Sequence, residues 1–306
     1  MPHRDRPERL SMHSELRFPV RRLAGIGDEA AVDFEGQVAA IRALDWRAVE
    51  LRAVDATAMG DLDPDAFRRV ADRLRAEQIE VVGLASRIGN WARPISVPFD
   101  EELAELDTLA DQCAALDCRY IRIMSYPNDG LTEADWAGRV LERIAALSRR
   151  AEQLGVTLLH ENCAGWAGHS ADRMLRLLDE VGSPALKLLF DTGNGVPHGY
   201  DASDLLVKIL PHVAHVHVKD AVSTPEGTAY TLPGDGDARV AECLRLLLAA
   251  GYSGVLSLEP HLATRPHENL QAVGDAATLF IRAGQRLSRL LDHAVLPKLS
   301  GCGTGR

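Results

Sequence analysis

The sequence predicts an α/β fold, a single (β/α)8 barrel of parallel strands, on three observations. Short apolar or β-branched runs alternate with stretches of helical periodicity, no linker-like segment interrupts them, and eight such units fill about 275 of the 306 residues. Strands separated by helices of this length pair in parallel through crossover connections, and eight units have the dimension of a closed barrel.

The units run in order. "RRLAGIG" (21–27) precedes a helix over 34–45, "AVELR" (48–52) one over 64–77, and "EVVGLAS" (80–86) one over 100–117. "YIRIMS" (120–125) precedes 133–154, "VTLLHE" (156–161) precedes 170–181, and "LKLLFD" (186–191) precedes 201–210. "VAHVHVKD" (213–220) precedes 237–250, and "GVLSLE" (254–259) precedes a last helix over 268–290. The rival is a doubly wound open sheet, which would carry a Gly-rich phosphate turn after its first strand. "GIGDEA" (25–30) holds only a fragment of one, so Gly25 and Gly27 read as turn residues. The barrel is assigned to 16–290. The charged segment 1–15 is expected to be a disordered arm, and 291–306, ending in "SGCGTGR", a disordered tail.

Composition excludes several classes of function. With 34 Lys and Arg against 44 Asp and Glu, the net charge is −10 and the pI near 5.6. That field repels nucleic acid and acidic membranes, while leaving room for a local basic pocket around a small anion. The five cysteines are scattered without a CxxC pair, which fits reduced thiols and a cytoplasmic location. No run of 18 apolar residues appears, so no membrane span is expected. The expected partner is a small molecule, and assembly into a homo-oligomer is left open.

Active sites of such barrels sit at the C-terminal ends of the strands. Here the second strand ends on Arg52, the fifth on Glu161, the sixth on Asp191, the seventh on His217 with Lys219 beyond it, and the eighth on Glu259. Taken singly, Glu161 or Glu259 could be a helix N-cap and Asp191 a turn former. Taken together, three carboxylates and an imidazole suit manganese, magnesium, cobalt or zinc. Without a cation, three carboxylates at one mouth would repel one another. His215 and His217 both fall on one face of an alternating strand, so parity does not choose between them.

"LLHEN", "FDTGN", "VHVKDA" and "LSLEPHL" at this spacing resemble the xylose isomerase-like sugar phosphate isomerase/epimerase superfamily, from about residue 20 to 285. "ELR", "YIRI" and the "PGDGD" loop (233–237) are similar to it as well. The resemblance implies one divalent ion, manganese foremost, held by Glu161, Asp191, His217 and Glu259, with Glu161 and Glu259 also the acid/base pair. It selects His217, two before the lysine of an HxKD pattern, and leaves His215 as a hydrogen-bonded core histidine. The family's ketose 3-epimerases carry other residues where Asn194, Ser223 and Ala167 stand here, which separates this chain from them.

Around that centre Arg52, Asn194, Lys219, Trp166 and His261 are expected to contact substrate. Each has a plainer alternative: Arg52 paired with acidic side chains, Asn194 as a left-handed turn residue, Lys219 bridging to Asp220, and His261 on an exposed loop. Trp166 is expected to wall a sugar ring, Trp91 to anchor its loop, and the "PGDGD" loop to act as an N-capping turn. The expected reaction is isomerisation or epimerisation of a sugar, keto-sugar, cyclitol or small hydroxy-keto acid. A glutamate would take the proton beside a carbonyl and give a metal-stabilised enediolate. The alternatives are a lyase that begins with the same proton abstraction, including C-glycoside elimination, and a non-catalytic barrel subunit. An abasic-site endonuclease, on a similar fold, is disfavoured by the acidic charge and the absence of further histidines at the strand ends.

Overall fold

The computed structural model describes residues 22–263 and 275–300. Eight strands form one parallel sheet: β1 (Leu23–Gly25), β2 (Ala48–Leu51), β3 (Glu80–Ala85), β4 (Tyr120–Ser125), β5 (Thr157–Gly165), β6 (Leu186–Asp191), β7 (Val213–Val218) and β8 (Leu256–Leu258). Their order around the sheet is β1-β8-β7-β6-β5-β4-β3-β2. A parallel bridge between Ile26 and Glu50 joins the first strand to the second and completes the ring. This is the (β/α)8 barrel expected from the sequence.

The helices on the outside are α1 (Phe34–Ala43), α2 (Pro64–Glu77), α3 (Phe99–Ala115), α4 (Glu133–Leu154), α5 (Ala171–Val181), α6 (Ala202–Ile209), α7 (Val240–Ala249) and α8 (Ala276–Leu290). Local chemistry sets many of their ends. Asp33, Asp63, Thr132, Ser170, Asp201 and Asp275 each cap a helix N-terminus by accepting backbone N–H bonds. Gly155 and Gly182 close α4 and α5 in the left-handed conformation. Leu, Ile, Val and aromatic side chains fill the layer between helices and barrel, with Trp46, Phe190 and Phe280 among the largest fully buried.

Three expectations need correction. Residues 291–300 are not a disordered tail: α8 passes directly into a turn of π-helix (Leu291–Val295) and a further helical turn (Leu296–Ser300), because Leu291 and Val295 are buried in the core. The last helix begins at Ala276 rather than 268, with 264–274 outside the described residues, as are the 1–15 arm and 301–306. The "PGDGD" loop caps no helix. Its Gly234 and Gly236 donate N–H bonds to the Asp220 carboxylate, as does Ala238, and a Cβ at Gly236 would lie 2.4 Å from that carboxylate. Asp220 opens a hairpin over the barrel mouth (Asp220–Thr224 with Gly227–Thr231) that the strand-and-helix reading left out. Among the described residues, no helix is long and apolar enough to cross a membrane.

Candidate metal centre

Four strand ends bring Glu161, Asp191, His217 and Glu259 together at the barrel mouth. One ligand atom from each lies within 4.8 Å of the others, and all four side chains are buried. The strand register supports this, since Asp191 on β6 sits beside His217 on β7, which sits beside Ser257 on β8.

Each ligand candidate is held from behind. Asp191 Oδ1 accepts the N–H groups of Gly193 and Asn194, both at 2.8 Å, so it does form the turn considered for it. That leaves Oδ2 aimed into the site with no hydrogen bond among the described residues, in an ion pair with Lys219 Nζ at 3.1 Å. Asn162 ties β5 to β6 by donating to the Asp191 carbonyl and accepting its N–H. His217 Nε2 lies 3.0 and 3.1 Å from the two Glu50 oxygens. Its Nδ1 has no hydrogen-bond partner among the described residues and faces Glu161 Oε1 at 3.6 Å and Glu259 Oε2 at 3.5 Å. Glu161 takes bonds from Arg122 at 3.2 Å and Asn194 at 3.1 Å. Glu259 takes them from Arg52 at 2.9 Å and Lys219 at 2.8 Å.

Burial and neighbouring charge set the ionisation of the site residues. Burial raises the Asp191 carboxyl, and the charges of Glu259 and Glu161 add to it; Lys219 offsets only part, so the pKa stands at about 6. Burial also opposes ionisation of Glu161, but the nearby imidazole of His217 and the charge of Arg122 outweigh it and draw the pKa down to about 2. For His217 burial disfavours the imidazolium, yet Glu50, Glu161 and Glu259 overcome it and hold the pKa well above the ordinary value. Two unsatisfied buried donor atoms, Asp191 Oδ2 and His217 Nδ1, converge with two carboxylates, and this set fits a hard or borderline divalent ion.

Above the four lies a cavity of about 250 Å³, lined by Arg52, Arg122, Asn194, Lys219, Trp91 and Tyr230 among others. Arg52, Asn194, Lys219 and His261, four of the residues expected to contact substrate, all lie in this wall. Arg52 also pairs with Asp28 and Glu29, so its plainer alternative is present too. Lys219 turns inward to Asp191 and Glu259 and not to Asp220. Asn194 has φ −64° and is not left-handed. His261 is buried, with Nδ1 at 3.0 Å from Glu29, so it is not an exposed loop residue.

Trp166 is the misassigned side chain. It is 2% exposed, its indole N–H donates to Glu133, and the guanidiniums of Arg173 and Arg176 lie over its ring. Trp166 anchors its loop, and Trp91 lines the cavity. Sequence reasoning missed Glu29, Glu50, Arg122 and Tyr230. Glu50 and Arg122 left a signal, a charge in the middle of an otherwise apolar strand and on the parity of the strand-end residues.

Residues 38–282 match the family model described as xylose isomerase-like TIM barrel. The chain belongs to that family. An inosose dehydratase of Bacillus thuringiensis (strain Al Hakam) is 27% identical over 143 residues, 42% of this chain and 48% of the relative. One of Clostridium perfringens is 29% identical over 144 residues, again 42% and 48%. The match thus spans about half the length of these curated relatives. Among solved structures, an L-ribulose 3-epimerase superposes with a TM-score of 0.74 at 17% identity, over 93% of this chain and 98% of that one. The zinc-bound IOLI protein does so at 0.70 and 15%, over 89% and 99%. At such identities these two show the shared fold.

Proposed function

We propose that this family member is a divalent-metal-dependent enzyme that removes the proton beside a carbonyl of a sugar-like or cyclitol substrate and returns it as an isomerase or epimerase. The observation that carries the reading is that Glu161 and Glu259 both reach His217 Nδ1, at 3.6 and 3.5 Å, under one cavity that both of them line. Glu161, Asp191, His217 and Glu259 hold the ion, for which manganese is the first expectation; zinc in a structural relative keeps the borderline metals in view. When bound, the ion supplies Lewis-acid polarisation of the carbonyl.

The remaining chemistry belongs to the side chains. Ionised Glu161, kept low by His217 and Arg122, is a base ready to accept a proton at one face of the substrate. Glu259, held by Arg52 and Lys219, is the second carboxylate, which returns one. Lys219 Nζ is within reach of charge developing on a substrate oxygen, and Trp91 and Tyr230 wall the cavity against water. A lyase is the second reading, favoured by the curated matches to inosose dehydratases. It shares the first proton abstraction and differs in the loss of water.

The test incubates the metal-loaded protein in deuterium oxide with ketoses, keto-inositols and hydroxypyruvate, and follows both label uptake and water loss. Label uptake without dehydration supports the epimerase, and dehydration supports the lyase. Glu161→Gln and Glu259→Gln should each lower the rate about 10²- to 10⁴-fold. Full exchange activity in both variants would sink the two-carboxylate mechanism.

A further inference from the structure

Glu50 has no part in the proton transfers above, yet it is buried in the barrel lumen beneath the four ligand candidates, in contact with two histidines. Its Oε2 lies 2.8 Å from His215 Nε2, and both of its oxygens lie within 3.1 Å of His217 Nε2. Oε2 is shared between the two rings and Oε1 also faces His217, an arrangement that suits a carboxylate accepting from a protonated Nε2 on each imidazole. For a neutral His217 that assignment leaves the lone pair on Nδ1, the atom that faces Glu161 and Glu259.

We infer that Glu50 is a positioning residue: it fixes His217 as the Nε2–H tautomer and so presents Nδ1 to the metal, while His215 holds Glu50 in register. This rests on the metal reading of the proposed function. A carboxylate behind a ligating imidazole both orients the ring and raises its basicity, and its loss typically costs 10- to 100-fold in metal affinity. A glutamine at position 50 has the same shape but presents an N–H₂ group to one of the two imidazoles, which breaks the double acceptance.

The test uses zinc and cobalt alone, without substrate. Zinc affinity by chelator competition should be 10- to 100-fold weaker in Glu50→Gln than in wild type, and the visible spectrum of bound cobalt should change with it. Long-range proton–nitrogen spectra of zinc-loaded wild type should show protonated Nε2 on both His215 and His217, with the zinc-induced shift on His217 Nδ1. This second measurement decides the matter even where Glu50→Gln does not fold. Wild-type zinc affinity and an unchanged cobalt spectrum in a folded Glu50→Gln would overturn the inference and leave the metal reading intact. A proton on Nδ1, or zinc on Nε2, would overturn it as well. Wild type that binds neither metal would remove both.

Discussion

At the scale of single residues, two fully buried histidines of the barrel strands have opposite environments. His217 points into the lumen among carboxylates, whereas His160, one position before Glu161, points the other way on β5 and is fully buried. Neither of its ring nitrogens has a hydrogen-bond partner among the described residues. Burial lowers its pKa to about 4, and the charge of Glu161 only partly offsets this. The folded form therefore holds His160 neutral in a range where the unfolded chain, with a pKa near 6.5, takes up a proton. The resulting stability is fully present above about pH 6.5 and is lost as the pH falls toward 4, by on the order of 3 kcal/mol in total. Urea midpoints of wild type should drop across this window more steeply than those of His160→Leu. Equal slopes would mean that His160 is protonated or solvated in the fold.

At the scale of elements, β4 and β5 approach each other unusually closely where β5 ends. Gly165 pairs with Ser125, and its φ of +97° is a conformation that residues with a side chain rarely adopt. A Cβ there would stand 2.3 Å from the Ser125 carbonyl carbon. Gly165→Ala should therefore destabilise the barrel by on the order of 3 kcal/mol, combining backbone strain with overpacking. It should also disturb the loop that begins "CAGWAG", which carries Cys163 and Ala164 into the cavity wall. Thermal unfolding of the variant checks this, and an unchanged midpoint would show that the two strands can separate freely at their ends. Strands and helices were legible because each crossover repeats one pattern of apolar run and amphipathic helix, and caps such as Asp63 before Pro64 fixed the boundaries. The mouth hairpin was not legible. "DAVSTPEGTAYT" pairs across a loop over the cavity and not in the barrel, so nothing in the repeat announces it. The four ligand candidates were readable from their places at strand ends. Glu50 showed only as a charge within an apolar strand and Glu29 not at all, since their roles follow from contacts with His215, His217 and His261, 165, 167 and 232 residues away.

At the scale of the whole molecule, the barrel converges its strand ends on a buried cluster of three carboxylates and one imidazole. Three carboxylates meet there, and among the described residues Lys219, Arg52, Arg122 and His217 face them, with Arg52 shared with Asp28 and Glu29 and His217 with Glu50. Asp191, held up at about 6 by burial and by its acidic neighbours, reports the remaining repulsion. A divalent ion bound to the folded state alone relieves that repulsion and draws the equilibrium toward the fold, by about 2.7 kcal/mol at 100 times its dissociation constant. Because the ligands come from β5, β6, β7 and β8, the ion would clamp half of the ring, and unfolding would have to release it. For a domain of this size that corresponds to a rise in melting temperature of roughly 2–4 °C per kcal/mol. Zinc or manganese should raise the midpoint of wild type by such an increment, and a chelator should reverse it. His217→Ala should retain little of the increment, since it removes the one nitrogen donor while keeping the carboxylates. A midpoint that responds equally to metal in both proteins would place the ion elsewhere on this acidic surface.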